Sequence, residues 1–264
     1  MDFYDQMGRL VTLKQWPPRR IISLVPSQTE FLADLELTDS VLGITKFCIH
    51  PAAWFQGKKR VGGTKTLDFQ KIEALQPDLI IGNKEENEQS QIEYLSQRYP
   101  VWMSDIYTLE DALDMMQRLG ALTGKQGKAT EITEALNQKF GRLSEQPKAY
   151  LQAAYLIWRK PFMVAAKGTF VDNMMQYTGF DNVFGSLTRY PEVTRDQLKA
   201  AKPAVVLLSS EPYPFSEKHL KELQEICPEA RIQLVDGELF SWYGSRLLQA
   251  PDYFVRLREH MGLK

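Results

Sequence analysis

The hydrophobic positions of this chain fall into short continuous runs separated by longer amphipathic stretches. "RIISLVP" (Arg20 to Pro26) is apolar on successive residues, which predicts a strand buried on both faces and ended by Pro26. "SQTEFLADLEL" follows at helical spacing, with Ser27 in the N-cap place and Glu30 three residues on, the capping-box arrangement. "VLGIT", "DLIIG" and "PVWMSD" predict further strands, and "DFQKIEALQ" and "SQIEYLSQR" predict helices, the first stopped before Pro77. Ahead of these, "GRLVTL" alternates like a strand. Strands alternating with helices imply a mainly parallel sheet with helices on both faces.

From Thr108 to Gln146 the pattern is helical without strands. Thr108 with Glu110 and Asp111 makes a favourable start, and Gly120, Gly124 and Gly127 divide the stretch into a shorter and a longer helix. The longer one, Lys125 to Glu145, spans about 30 Å at 1.5 Å per residue. Beyond Pro147 the alternation resumes, with strands at "AYLQAAYLIW", "NVFG", "AVVLLS" and "RIQLVD". Helices are predicted at "TFVDNMMQYTG", "TRDQLKAAK", "SEKHLKELQEI" and "APDYFVRLREHMG".

The two α/β stretches repeat each other. "KIEALQPDLIIG" reappears as "QLKAAKPAVVLL", with Pro77 and Pro203 in the same place 126 residues apart (203 − 77 = 126). "LTDSVLGI" is matched by "GFDNVFGS", and the strand ending at Asp105 by the one ending at Asp236. Three matches in one order predict a duplicated unit. The expected fold is therefore α/β, two Rossmann-like lobes with mainly parallel sheets joined by a long backbone helix. The divisions fall at 1–107, 108–146 and 147–264. Ligands of such sheets bind outside the carboxyl ends of the strands, so a cleft between the lobes is the expected site.

Composition narrows the partners. The chain has 264 residues, 44% of them hydrophobic, with 32 Lys and Arg against 33 Asp and Glu. No net field draws it to nucleic acid or an anionic membrane. Cys48 and Cys227 lie in different halves and outside any Cys-x-x-Cys pair. As written, the chain shows no secretion signal and no run of 18 apolar residues.

Loops after the predicted strands carry Trp54, Trp158, Phe162, Tyr190, Phe240, Trp242 and Tyr243, with His50, Lys65, Arg159, Arg189 and Arg246 among them. Aromatic rings at loop tips suit a large, partly flat ligand; equally, they pack loops onto lobes. "FSWYGSR" reads as functional as a group, because Ser, Gly and Arg beside two aromatics make poor core. Arg246 either meets an anionic or amide group by its rigid fork or braces its loop. His50, before Pro51, either ligates a metal centre from above or is a structural histidine. His219 and His260 fall in predicted surface helices, so the three histidines form no visible metal cluster. Phosphate-loop, dinucleotide-loop, nucleophile-elbow and zincin motifs are absent, "VGGTKT" reads as an ordinary loop, and Glu85 and Glu86 read as a solvated helix start or a paired acid.

"RIISLVPSQTE", "VLGITKFCIHP", "RVGGTKTLDFQKIEALQPDLII" and "NKEEN", followed by the long helix, resemble class III periplasmic binding proteins. These are substrate-binding proteins of ABC importers with a helical backbone, here of the cobalamin-binding and siderophore- or haem-binding branch. The likeness covers nearly the whole chain and is strongest from Arg20 to Asp111 and from Tyr190 to Arg246. It implies a non-catalytic monomer that holds a corrinoid, ferric siderophore or haem between its lobes and presents it to a permease. It carries the ligand-contact role to His50, Tyr190, Glu238, Trp242 and Tyr243, and transporter docking to Asp196 and Gln70. Where cobalamin binders have first-lobe tryptophans this chain has Thr64 and Asn83, and His50 stands in place of a tyrosine. The resemblance implies the periplasm or cell envelope. The alternatives are a cytosolic two-lobed nucleotide-dependent enzyme and a cytoplasmic chelate carrier or sensor. No cofactor of the protein's own is expected, and metal ligation is expected, if anywhere, at His50.

Overall fold

A computed structural model describes residues 1–146 and 150–262. The expected boundary at 147, the first residue of the strand predicted from Ala149, and the C-terminal Lys264 lie outside the described residues. The chain divides into two compact units. The first comprises Met1–Ile106, Glu110–Ala135 and Tyr243–Arg246; the second comprises Tyr107–Leu109, Leu136–Trp242 and Leu247–Lys264.

The first unit opens with a hairpin, β1 (Asp2–Tyr4) against β2 (Leu10–Thr12). Then follow β3 (Ile21–Ser23), α1 (Pro26–Asp34), β4 (Val41–Ile44), α2 (Ala52–Gly57), β5 (Lys59–Arg60), α3 (Phe69–Leu75), β6 (Leu79–Asn83), α4 (Gln89–Ser96) and β7 (Val101–Ser104). The strands form a parallel sheet in the order β5-β4-β3-β6-β7. Every residue of β3, β6 and β7 is buried, as their unbroken apolar runs require of strands covered on both faces. Ile22, Leu24, Ile72, Ile80 and Ile92 meet in the core.

Two helices follow: α5 (Leu109–Thr123) and α6 (Gln126–Glu145). The break between them is Gly124 and Lys125, with Gly124 at a φ of 74° in the left-handed region. Gly120 and Gly127, expected to interrupt as well, lie inside α5 and α6. The first ten residues of α6, to Ala135, belong to the first unit and the remainder to the second, so the stretch 108–146 is shared between them.

The second unit contains β8 (Leu151–Trp158), β9 (Phe162–Val164), α7 (Phe170–Thr178), β10 (Phe180–Asn182), β11 (Glu192–Val193), α8 (Arg195–Ala200) and β12 (Val205–Ser209). It closes with α9 (Leu220–Ile226), β13 (Arg231–Val235), α10 (Glu238–Ser241) and α11 (Ala250–His260). The sheet runs β11-β9-β8-β12-β13, with β10 pairing β8. Strands β8, β10, β12 and β13 are parallel, and β9 and β11 are antiparallel additions at one side. Leu156, Val164, Leu198, Val206 and Leu208 lie in its core.

The repeat seen in the sequence is a repeat of conformation. Asp68 caps α3 by accepting from the Lys71 N–H, and Thr194 caps α8 in a full capping box with Gln197. Each helix then ends at a left-handed residue, Gln76 at φ 45° and Lys202 at φ 44°, before its proline and a buried five-residue strand. Two local expectations are corrected. Pro26 is itself the first residue of α1, where a missing N–H costs nothing, so Val25 stands at the N-cap and Ser27 lies inside the helix. The strand expected at "NVFG" is instead β10, ending at Asn182, whose side chain accepts from the Phe184 N–H and turns the chain.

Candidate ligand-binding site

In the first unit the carboxyl ends of the strands are joined by small polar side chains. Gln28 donates to Ser104 Oγ at 2.5 Å, Asn83 donates to the same oxygen at 3.0 Å, and Thr29 donates to Ser23 Oγ at 2.7 Å. Asn83 is not exposed to solvent; its carboxamide oxygen accepts from the Glu85 and Glu86 N–H groups at 2.8 and 3.1 Å and shapes the turn after β6. Asn87 donates to the Thr64 carbonyl and Lys65 to that of Glu85, locking this turn to "VGGTKT". Glu85 and Glu86 thus lie in a turn before α4, which begins only at Gln89, and Glu86 accepts from the Tyr243 hydroxyl at 3.0 Å.

The loop after β4 turns one residue in and its neighbours out. Cys48 is buried, its sulfur 3.1 Å from both the Thr29 and Thr45 hydroxyls, and burial pushes its thiol above the ordinary range. On either side Phe47 is 50% exposed and Ile49 45% exposed, with partly buried His50 next. Sequence reasoning chose His50 and Trp54 from this loop and passed over Phe47 and Ile49; Trp54 is buried within α2. The signal was present in "KFCIH", where a thiol between two large apolar residues marks which one faces inward.

In the second unit Trp158 ends β8 and is 39% exposed. Its ring meets Tyr213 edge-on at 5.6 Å. Tyr190 is partly exposed, and the Arg189 guanidinium lies over both Tyr107 and Tyr190, at 5.2 and 5.7 Å from the ring centroids. Glu238, in the first turn of α10, is also partly exposed. Arg159 pairs with Glu222 at 2.7 Å.

Other expected contacts face inward. Phe162 belongs to the core of the second unit. Phe240 has no exposed surface and packs against Tyr155 and Phe254 at 5.2 and 4.8 Å, so it is a core ring. Trp242 is buried and donates its indole N–H to Glu211 Oε1 at 2.9 Å. Glu211 also accepts from the Ser241 hydroxyl at 2.6 Å. Burial raises its pKa, as do the nearby Glu238 and Asp236 charges, against the two hydrogen bonds.

Tyr243–Arg246 belongs to the first unit and lies along one face of α1. Arg246 grips Glu30 through two hydrogen bonds, of 2.8 and 2.6 Å, and the Ser245 hydroxyl donates to Asp34. Gly244 sits so close that a Cβ there would meet the Ser27 carbonyl oxygen at 2.8 Å. Glu30, expected to cap α1, is instead the partner of Arg246, and "FSWYGSR" is an anchored segment rather than an open loop. His219, expected on a surface helix, is buried. Asp196 and Gln70 are exposed in the first turns of α8 and α3, at matching places in the repeat. Among the described residues no group of three or more His, Cys, Asp or Glu could hold a metal ion, and no helix is long and apolar enough to cross a membrane.

Two parallel α/β units of one plan, a long helix shared by both, and rings at strand ends define a substrate-binding protein. The chain belongs to the periplasmic binding protein family, whose model matches residues 21–227. It is 25% identical over 242 residues to a vitamin B12-binding protein of Pectobacterium carotovorum, covering 88% of this chain and 86% of that one. Its fold is similar to that of a periplasmic haem-binding protein of Roseiflexus sp. RS-1, with a TM-score of 0.77, 20% identity and coverage of 91% of this chain and 98% of the other. It is also similar to a molybdate-binding periplasmic protein of Haemophilus influenzae, at a TM-score of 0.83 and 13% identity, over 99% of this chain and 92% of that one. One fold thus carries quite different cargoes, and the cargo has to be argued from this chain's own side chains.

Proposed function

We propose that this periplasmic binding protein serves an ABC importer and that its cargo is a metal chelate with a broad apolar face, a corrinoid or haem. The observation that carries the reading is that each unit by itself leaves large apolar side chains exposed after the carboxyl end of a strand, Phe47 and Ile49 in the first and Trp158 in the second. Leaving large side chains open to solvent there gains nothing for the fold, whereas the face of a flat macrocycle would cover such groups. A small oxyanion would leave them wet. The B12-binding relative agrees with this choice. His50 stands next to Ile49 and would serve as a lower axial ligand to the chelated metal. Arg189, held between two tyrosines, would meet carboxylate or amide groups at the chelate's edge.

Asp196 would dock on a cationic residue of the permease, and Gln70, at the matching place, would contribute a hydrogen bond without charge. The protein would work as a monomer in the periplasm or cell envelope.

Titration of the purified chain with cyanocobalamin, cobinamide, haemin and ferric hydroxamate, followed in the visible band, tests the cargo. One of the two macrocycle classes should shift the band, and Trp158→Ala should weaken binding about 10- to 50-fold, in line with roughly 1–3 kcal/mol for a lost ring contact. Equal silence from all four chelates would defeat the reading.

A further inference from the structure

Behind Trp158 lies a short relay of side chains. Trp158 rests edge-on against Tyr213, and the Tyr213 oxygen lies 3.1 Å from His219 Nε2. The other ring nitrogen, Nδ1, accepts the Ser216 N–H at 3.0 Å. An accepting nitrogen carries no proton, so the hydrogen of the neutral ring sits on Nε2 and is donated to Tyr213. Phe215 closes over the pair, its ring 5.5 Å from the imidazole and 4.8 Å from Tyr213.

We propose that Tyr213 and His219 are positioning residues for the Trp158 ring, and that the neutral imidazole is the form that holds it ready for cargo. This rests on the reading of Trp158 as a cargo contact. A second proton would go on Nδ1 and point at the Ser216 N–H, donor against donor, with the Ser216 hydroxyl, 3.4 Å away, as the acceptor to turn toward. Either the imidazole turns or the Ser216 turn opens, and the hydrogen bond from His219 to Tyr213 is disturbed in both cases, which leaves the Tyr213 side chain to its contacts with Arg159 and Phe215. The backing of Trp158 is then looser. Cargo is held near neutral pH and let go in acid.

The charged groups facing the imidazole agree on balance. Burial pushes His219 below its ordinary range, and Lys218 beside it and Arg159 from the turn after β8 act in the same direction. Glu222 of α9 opposes them, but its carboxylate is already shared by Arg159 and by Arg195 of α8. The backbone group facing Nδ1 is an N–H, which gives an imidazolium no help, and the Ser216 hydroxyl stands off at 3.4 Å. With the folded value below the unfolded 6.5, the neutral ring contributes stability above pH 6.5, and that contribution is lost as pH falls from there toward the folded value.

The test begins without cargo. Tryptophan emission of the whole chain is followed from about pH 8 to about pH 5, across the ordinary histidine range. The Trp158→Phe variant is subtracted to isolate one of the five tryptophans. The Trp158 signal should titrate below pH 6.5. It should not titrate in His219→Asn, whose carboxamide oxygen still accepts from Ser216 but gains no proton. Tyr213→Phe, checked for folding by circular dichroism, should weaken the signal change without moving its midpoint. Macrocycle affinity should then fall roughly tenfold between neutral and acid pH in the native chain and stay level in His219→Asn. A Trp158 signal that is flat with pH, or affinity that falls equally in His219→Asn, overturns the proposal. A titrating signal in a chain that binds no macrocycle supports the relay and defeats the cargo reading instead.

Discussion

The two units share a frame and differ at their strand ends. Asn83 and Ser209 are the last residues of β6 and β12, at matching places in the repeat, and each organises the turn that follows. Asn83 does so inside a lattice of Ser, Thr, Gln and Asn, in which nearly every partner is uncharged and small. Ser209 donates to the Glu211 carbonyl at 2.5 Å and accepts from Tyr155 at 3.1 Å, among Phe240, Trp242 and a half-buried carboxylate. The helix, left-handed residue, proline and strand upstream are the same in both. Backbone geometry therefore constrains the helix-to-strand half of the repeat, while the strand-to-loop half is free to take different chemistry.

The comparison can be broken at its core. Ile80 and Val206 are matching buried residues of β6 and β12. Ile80→Ala should cost about 3 kcal/mol and Val206→Ala about 2 kcal/mol in denaturant unfolding. Hydrogen exchange should show faster opening only in the unit that bears the change; simultaneous loss of protection in both would mean that the units fold as one.

A smaller effect is expected from Arg246→Ala. It leaves Glu30 without its bidentate partner and should cost about 1–2 kcal/mol, read as faster exchange in the first turns of α1. Unchanged exchange there would mean that Ser245 and Tyr243 hold the segment unaided.

The smallest effect sharpens the contrast at Ser209. Because Glu211 has a raised pKa when folded, its contribution is most favourable below the unfolded value of 4.5 and is lost as pH rises through the folded value. Glu211→Gln keeps an acceptor for Trp242 and Ser241 without the charge. It should raise stability at neutral pH by about 0.5 kcal/mol, solvent screening being appreciable, and flatten the decline from mildly acid to neutral pH. A loss at neutral pH would show that the ionised carboxylate is favourable there.

The frame was legible because it is local. Continuous apolar runs named β3, β6 and β12, and the prolines after Gln76 and Lys202 marked both repeats. The site was only partly legible, because direction is set by tertiary partners. Trp158 and Trp242 look alike in the chain, yet one is exposed and the other gives its N–H to Glu211, a residue 31 positions away. Arg246 finds Glu30 at a separation of 216. His219 reads as a surface residue at helical spacing, and only the fold brings Tyr213 and Phe215 around it. In "KFCIH" the inward residue is the thiol, an anchor whose large neighbours become the surface.

Both cysteines are free and buried, Cys48 in the first unit and Cys227 in the second. Neither fold depends on a crosslink, so oxidising and reducing surroundings should leave the protein equally well formed. Each unit therefore carries its own internal clock: the rate at which a thiol-reactive alkylating agent reaches Cys48 or Cys227 reports how often that half of the molecule breathes, with no label added by engineering.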